Sequence, residues 1–139
     1  MPKKQIIICV DDEFMVLDCL RIWIEEWFGD SHTVEVAESG EEALEVIRDH
    51  SDAGNEVCLV VSDYIMPNMK GDELLTRVHE LLPRAVSIML TGQVQPEVVE
   101  FVTRSSNLYC CLGKPWDSTE LHNKIAGALE LHAKGLTAL

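Results

Sequence analysis

Four short pieces of the chain each set a reactive side chain at the C-terminal end of an apolar run. Asp11 and Asp12 follow Ile6 to Val10, Asp63 follows Val57 to Val61, Thr91 follows Val86 to Leu90, and Lys114 follows Leu108 to Leu112. In an open parallel α/β sheet, the loops at the C-terminal strand ends form the ligand crevice. The four pieces then converge as three carboxylates, a hydroxyl and an ammonium. Such a set suits a divalent metal and a carboxylate that accepts a phosphoryl group.

The electrostatics point the same way. Carboxylates about 5 Å apart repel by roughly 3 kcal/mol per pair at an effective dielectric near ~20. Three such pairs rival the whole stability of a domain. The cluster must protonate, pair or bind a cation. Lys114 offsets one charge, and a hard ion such as Mg²⁺ (or Mn²⁺) suits the rest, being held by a few carboxylates, waters and phosphate oxygens. An aspartate in such a crevice can attack a phosphoryl donor to form an acyl phosphate. Lys114 would neutralise the equatorial oxygens and the Thr91 hydroxyl would donate a hydrogen bond. Gly92 leaves room for the incoming group, and Pro67 and Gly71 fit the sharp loop after Asp63.

Each piece alone has a plain structural account. Asp-Asp-Glu before a periodic segment caps a helix; Asp63 can cap a loop, Thr91-Gly92 can be a turn, and Lys114 can be a solvated lysine before Pro115. Capping does not explain why all of them fall at four strand ends in a chemically coherent set.

The elements that must position them alternate regularly. Runs 6–10, 57–61, 86–90 and 108–112 are mostly continuously apolar, as strands buried on both faces require. His32 to Ala37 alternates in polarity and reads as a strand near an edge. Between the runs, helical periodicity covers Glu13–Phe28, Gly40–His50, Gly71–Leu82, Pro96–Ser105 and Asp117–Lys134, with Pro96 suited to a first turn and Asp117 or Ser118 to a cap. Strands alternating with helices imply right-handed crossovers and a parallel sheet.

With 139 residues the chain has room for one core-bearing domain. No apolar stretch approaches the ~20 residues of a membrane helix, and the Met-Pro-Lys-Lys-Gln start lacks a signal-peptide pattern, so the cytoplasm is the expected location. A formal charge of −13 argues against direct nucleic-acid or membrane binding. The five cysteines (9, 19, 58, 110 and 111) have no C-x-x-C spacing and read as small buried hydrophobes rather than a zinc site or disulfides.

The motifs Val10-Asp11-Asp12, Ser62-Asp63-Tyr64-Ile65-Met66-Pro67-Asn68-Met69-Lys70-Gly71, Leu90-Thr91-Gly92 and Gly113-Lys114-Pro115-Trp116 resemble those of a bacterial two-component response-regulator receiver domain of the chemotaxis-regulator-like kind. The resemblance spans about residues 5–134, leaving 135–139 as a tail of one receiver domain over 1–139. It implies a flavodoxin-like, doubly wound, five-stranded parallel sheet of order 2-1-3-4-5 flanked by five helices. It also implies that Asp63 is the phosphoacceptor, with Asp12, Asp63 and the Ile65 backbone carbonyl binding Mg²⁺ directly and Asp11 acting through water. Thr91 resembles the switch hydroxyl, and Lys114 the lysine that pairs with the phosphoryl group, its bond to Pro115 being cis.

The implied donor is a sensor histidine kinase or histidine phosphotransfer protein, and the implied recipient a downstream effector protein or domain. Partner binding would switch through the fourth helix, fifth strand and fifth helix, with Phe101 and Tyr109 as candidate contacts. The chemistry is self-catalysed phosphotransfer and dephosphorylation, not turnover of an external substrate. Two alternatives stay open: an N-terminal receiver excised from a longer regulator bearing a cyclic-dinucleotide enzyme or hybrid kinase, and a receiver-like docking module that does not cycle phosphate. A flavodoxin is excluded because Asp11 and Asp12 would repel a flavin phosphate. A haloacid-dehalogenase-like phosphatase needs Asp-x-Asp spacing and a cap domain.

The chain departs from the family pattern twice. The aromatic usually three residues before the lysine is Cys111, and a regular strand would put Tyr109 on the same face, roughly 7 Å further back; a weakened aromatic switch is expected. The positions two after the phosphoacceptor and two after the threonine are Ile65 and Gln93, and the apolar Ile65 implies slow self-dephosphorylation.

Overall fold

The structure is a computed structural model that describes residues 3–92 and 95–136; Gln93 and most of the expected tail lie outside them. Ten elements alternate along the chain: β1 (Gln5–Val10), α1 (Phe14–Phe28), β2 (Thr33–Ala37), α2 (Gly40–Asp52), β3 (Glu56–Asp63), α3 (Gly71–Leu81), β4 (Val86–Thr91), α4 (Pro96–Ser105), β5 (Leu108–Gly113) and α5 (Ser118–Ala133). The strands form one parallel sheet in the order β2-β1-β3-β4-β5, as expected. The alternating strand β2 is an edge, and its half-buried pattern follows from that place.

Successive strand residues point to opposite faces, so each continuous run feeds two cores. On one face Ile6, Ile8, Val10, Val60 and Met89 pack under α2, α3 and α4, through Leu44, Ile47, Leu74, Leu75, Val78 and Val102. On the other, Ile7, Cys9, Leu59, Val61, Ile88 and Leu90 pack under α1 and α5, through Leu17, Leu20, Ile24, Leu121 and Ile125. Full burial of each such aliphatic chain contributes about 1.5–3 kcal/mol. Local signals set the helix starts. Ser39 accepts the Glu42 N–H, Asp117 accepts the Thr119 N–H, and Pro96 occupies the first turn of α4. Because all strands run one way, their C-terminal ends lie at one pole. The connections diverge there between β1 and β3, which opens the crevice.

The opposite pole carries a titratable cluster. His132, buried in the last turn of α5, places Nε2 3.0 Å from Glu56 Oε2, and Lys3 Nζ lies 2.7 Å from Glu56 Oε1. Burial, with the charges of Arg84 and Lys3, holds His132 below the ordinary histidine value against the pull of Glu56. Burial likewise lowers His32, which also feels His132. The unfolded chain takes up these protons near pH ~6.5, so stability is full above that value and falls as pH drops through it. The urea midpoint should fall between pH 7 and 5, and His132→Gln should flatten that slope. An unchanged slope in the variant would assign the acid sensitivity elsewhere.

Candidate functional site

The strand-end residues converge as expected. Ligand atoms of Asp11, Asp12 and Asp63 lie within 4.8 Å of one another. Lys114 Nζ sits 3.1 Å from Asp63 Oδ1 and 3.3 Å from Asp11 Oδ2. Asp11 is fully buried, Asp63 and Thr91 nearly so, and Asp12 faces solvent. The buried Thr91 Oγ1 has no hydrogen-bond partner among the described residues. An orphan buried hydroxyl costs free energy until something accepts from it.

Backbone bonds hold these groups in place. The Lys114 N–H donates to the Thr91 carbonyl at 2.7 Å, the Tyr64 N–H to Leu90 at 2.9 Å, and the Asp11 N–H to Ala37 at 3.2 Å. The Lys114–Pro115 bond is cis, as expected. Asp11 Oδ1 accepts the Glu13 N–H at 2.9 Å, which steadies the turn leading into α1. Glu13, the first residue of the expected helix, flanks α1, which starts one residue later at Phe14.

The β3–α3 loop is fastened on both sides. Met66 and Met69 are buried against the α2 face, which periodicity alone did not reveal because both lie outside any helix. A side chain on Gly40 would meet Met69 Sδ at 2.7 Å. Asn68 takes the left-handed conformation, with φ of 69°, which asparagine tolerates. The Gly71 N–H donates to the Tyr64 carbonyl at 2.8 Å. Ile65 is 64% exposed at the rim, and its carbonyl has no backbone donor among the described residues. Among the described residues, a Cβ on Gly92 would meet nothing within 4 Å, leaving space beside Thr91.

Burial pushes the Asp63 carboxyl up, and the Asp11 charge adds to this, while the Lys114 hydrogen bond opposes it. Burial acts downward on Lys114, but its bond to Asp63 and the charges of Asp11 and Asp63 outweigh it and raise the group. One ammonium thus serves two buried carboxylates, with Asp12 uncompensated beside them. The donor set is all hard oxygen, which fits a small divalent cation.

Two sequence expectations need correction. Tyr109 does not share a face with Cys111. Ser87 pairs with Leu108 but Ile88 with Cys110, so Tyr109 is the extra residue of a bulge and the alternation resets there. Cys111 packs with the α2–α4 core, whereas Tyr109 packs under α5. Its hydroxyl lies where a Gly127 Cβ would come within 2.3 Å. Phe101 lines a groove with Asp72, Thr76 and Glu80 of α3. The cysteines also divide: Cys9 and Cys58 are buried, while Cys19, Cys110 and Cys111 are half-buried. Burial pushes the Cys9 thiol up to about 12 and the Cys110 thiol up to about 11, so both stay protonated and weakly nucleophilic.

Comparison with known proteins agrees with this geometry. The family model described as the response regulator receiver domain matches residues 7–126. The hydrogenase transcriptional regulatory protein HoxA of Cupriavidus necator is 28% identical over 134 residues, which is 96% of this chain and 26% of HoxA. The chain therefore spans about a quarter of that relative's length. The signal receiver domain of an HD domain-containing protein from Pseudomonas fluorescens Pf-5 superposes with a TM-score of 0.81 at 28% identity, covering 96% of this chain and 99% of that one. A CheY-like response regulator receiver domain protein from Methanospirillum hungatei gives 0.81 at 29% identity, covering 96% and 98%. In family and in fold, this chain is a response regulator receiver domain of two-component signal transduction.

Proposed function

We propose that the chain accepts a phosphoryl group on Asp63 from a phosphohistidine of a sensor histidine kinase or histidine phosphotransfer protein. The observation that carries this is a nearly buried carboxylate 3.1 Å from Lys114, beside a Thr91 hydroxyl with no partner among the described residues. An Asp63 oxygen attacks phosphorus, the P–N bond breaks, and the imidazole leaves with its electron pair. Lys114 follows the charge from the carboxylate to the phosphoryl oxygens. Thr91 donates its hydroxyl proton to one of them, which draws the end of β4 inward.

Asp12, Asp63 and the Ile65 carbonyl would hold Mg²⁺ (or Mn²⁺) directly, with Asp11 acting through water. When bound, the ion supplies positive charge beside the phosphoryl oxygens. The altered Thr91 and Lys114 positions would then change partner binding at the α4–β5–α5 face. With Cys111 at the usual aromatic position and Tyr109 turned under α5, that change proceeds without the customary ring swing.

The partner downstream is an effector protein or domain, in the cytoplasm, with no direct nucleic-acid or membrane contact by this domain. No helix among the described residues is long and apolar enough to cross a membrane. A second reading, a receiver at the N-terminus of a longer regulator, is favoured by the quarter-length match to HoxA. The non-cycling docking module is what the following experiment excludes.

Intact mass after incubation with acetyl phosphate should show one phosphoryl adduct that requires Mg²⁺ and is absent from Asp63→Asn. A folded wild type that gains no adduct and fails to bind beryllofluoride would leave only docking. Ile65 has no polar atom to orient an attacking water. Phosphoryl decay should therefore speed up in Ile65→Asn by several-fold, about 1 kcal/mol of barrier. Equal or slower loss would remove Ile65 as the cause.

A further inference from the structure

The pole opposite the acidic crevice holds a cavity of about 300 Å³ that the phosphoacceptor chemistry leaves unused. Val57, Leu81, Leu82 and Ala85 give it an apolar lining, and Lys3, Arg84, His132 and Glu56 complete the wall. On a chain of net charge −13, three basic side chains against one acid are a local reversal of sign. The acid is already answered. Lys3 Nζ lies 2.7 Å from Glu56 Oε1, and His132 Nε2 lies 3.0 Å from Oε2. The Lys3 bond, helped by the His132, Lys3 and Arg84 charges, holds the Glu56 carboxyl below its ordinary value against burial. Arg84, by contrast, is exposed and makes no ion pair or side-chain hydrogen bond among the described residues. Nor does the end of α5 engage it, because that helix closes on its own backbone. With Gly135 at a φ of 71°, the Gly135 N–H donates to the His132 carbonyl at 2.9 Å and the Leu136 N–H to Leu131 at 3.2 Å.

We propose that this cavity binds a small organic monocarboxylate with an apolar body. The planar Arg84 fork takes the carboxylate, since it matches both oxygens at once. The body lies on Val57, Leu81, Leu82 and Ala85, where its burial removes apolar surface from water. Each half of the ligand is required by half of the lining. A bare inorganic anion leaves the apolar wall wet, and a neutral apolar molecule leaves the guanidinium unanswered. Charge sets the limit at one. Glu56 engages Lys3 and His132, so Arg84 alone is uncompensated, and a second negative charge on the ligand would meet Glu56. The volume falls at the small end of ligand sites, which run from ~300 to ~1,000 Å³. It suits a ring with a short acid chain, not a nucleotide. The cavity and Asp63 stand at opposite ends of the strands, so this site does not rest on the reading of Asp63.

The probe is phenylbutyrate, titrated into the isotope-labelled full chain at neutral pH without Mg²⁺ or phosphodonor and followed by amide NMR. Its controls are phenylbutyramide, which keeps the shape without the charge, and inorganic phosphate, which keeps charge without the body. Amide signals of Val57, Leu82 and Arg84 should move saturably with the carboxylate and far less with either control. Arg84→Gln should weaken binding at least about tenfold, because a charge-assisted pair is lost. Glu56→Gln should tighten it about threefold, because a like charge goes and Lys3 is released to the ligand. Leu81→Ser, at a position 50% exposed, should weaken it about threefold through lost apolar contact. If Arg84→Gln misfolds by circular dichroism, Arg84→Lys, which keeps the charge without the fork, should still weaken binding. Absence of a saturable shift, equal response to the amide, phosphate binding as tightly as the carboxylate, or affinity unmoved by the Arg84 and Glu56 variants would each overturn the proposal.

Discussion

Lys114→Met should lose about 3 kcal/mol of stability in metal-free buffer, because removing one partner of a buried ion pair leaves charge without compensation. The figure is set low in the range because the ammonium is 22% exposed, whereas the carboxylates it serves are 0% and 8% exposed. Methionine keeps most of the stem's volume, so packing loss is small. Added Mg²⁺ should restore part of the deficit, since an ion that binds only the folded state at 100 times its dissociation constant adds about 2.7 kcal/mol. The Mg²⁺-dependent gain should exceed that of wild type, where Lys114 competes for the same oxygens. Urea unfolding in chelator and in Mg²⁺ measures both. Equal stability of variant and wild type in chelator would mean that the carboxylates do not carry the charge assigned to them.

The second large effect is expected from Gly71→Ala. A Cβ there would stand 2.3 Å from the Asp63 carbonyl oxygen and 3.0 Å from the Tyr64 Cα, both backbone atoms that cannot rotate away. The start of α3 must shift, at about 1–3 kcal/mol for an overpacked contact. Alanine is the better helix former, so a gain in stability would show that the loop has slack. The shift also displaces Asp63 relative to Lys114, and sub-ångström placement governs phosphoryl transfer. Gly71→Ala should therefore slow adduct formation with acetyl phosphate at least about tenfold while remaining folded. A folded variant with wild-type rates would confine Gly71 to packing.

The reach of sequence reading differs between residues for definite reasons. Asp12, Asp63, Thr91 and Lys114 were legible because each ends an apolar run, and parallel strands place their ends at one pole. The helix limits were legible to within one or two residues where a cap or proline marks them, as at Asp117 and Pro96. Met66 and Met69 were not, since a loop has no period and their burial depends on α2. Asp11 is the most buried carboxylate of the site and contacts Lys114 directly, neither of which is legible along the chain. No local signal separates it from its exposed neighbour Asp12; the alternation of β1 and the cover above it decide.

Tyr109 marks the boundary most sharply. Counting by twos along β5 puts it beside Cys111, and only the register against β4 reveals the bulge that turns it under α5. Likewise the tryptophans at 23, 27 and 116 are scattered in sequence, and only the fold sets Trp23 beside Trp116 in one cavity and Trp27 beside His122 in another. The sequence by itself determined the fold, the order of its strands and the chemistry at their ends, because hydrophobic period and strand direction are local properties. Tertiary structure alone decided which face each irregular residue meets, which carboxylate is buried and where the aromatic surface lies, because those depend on partners distant in the chain.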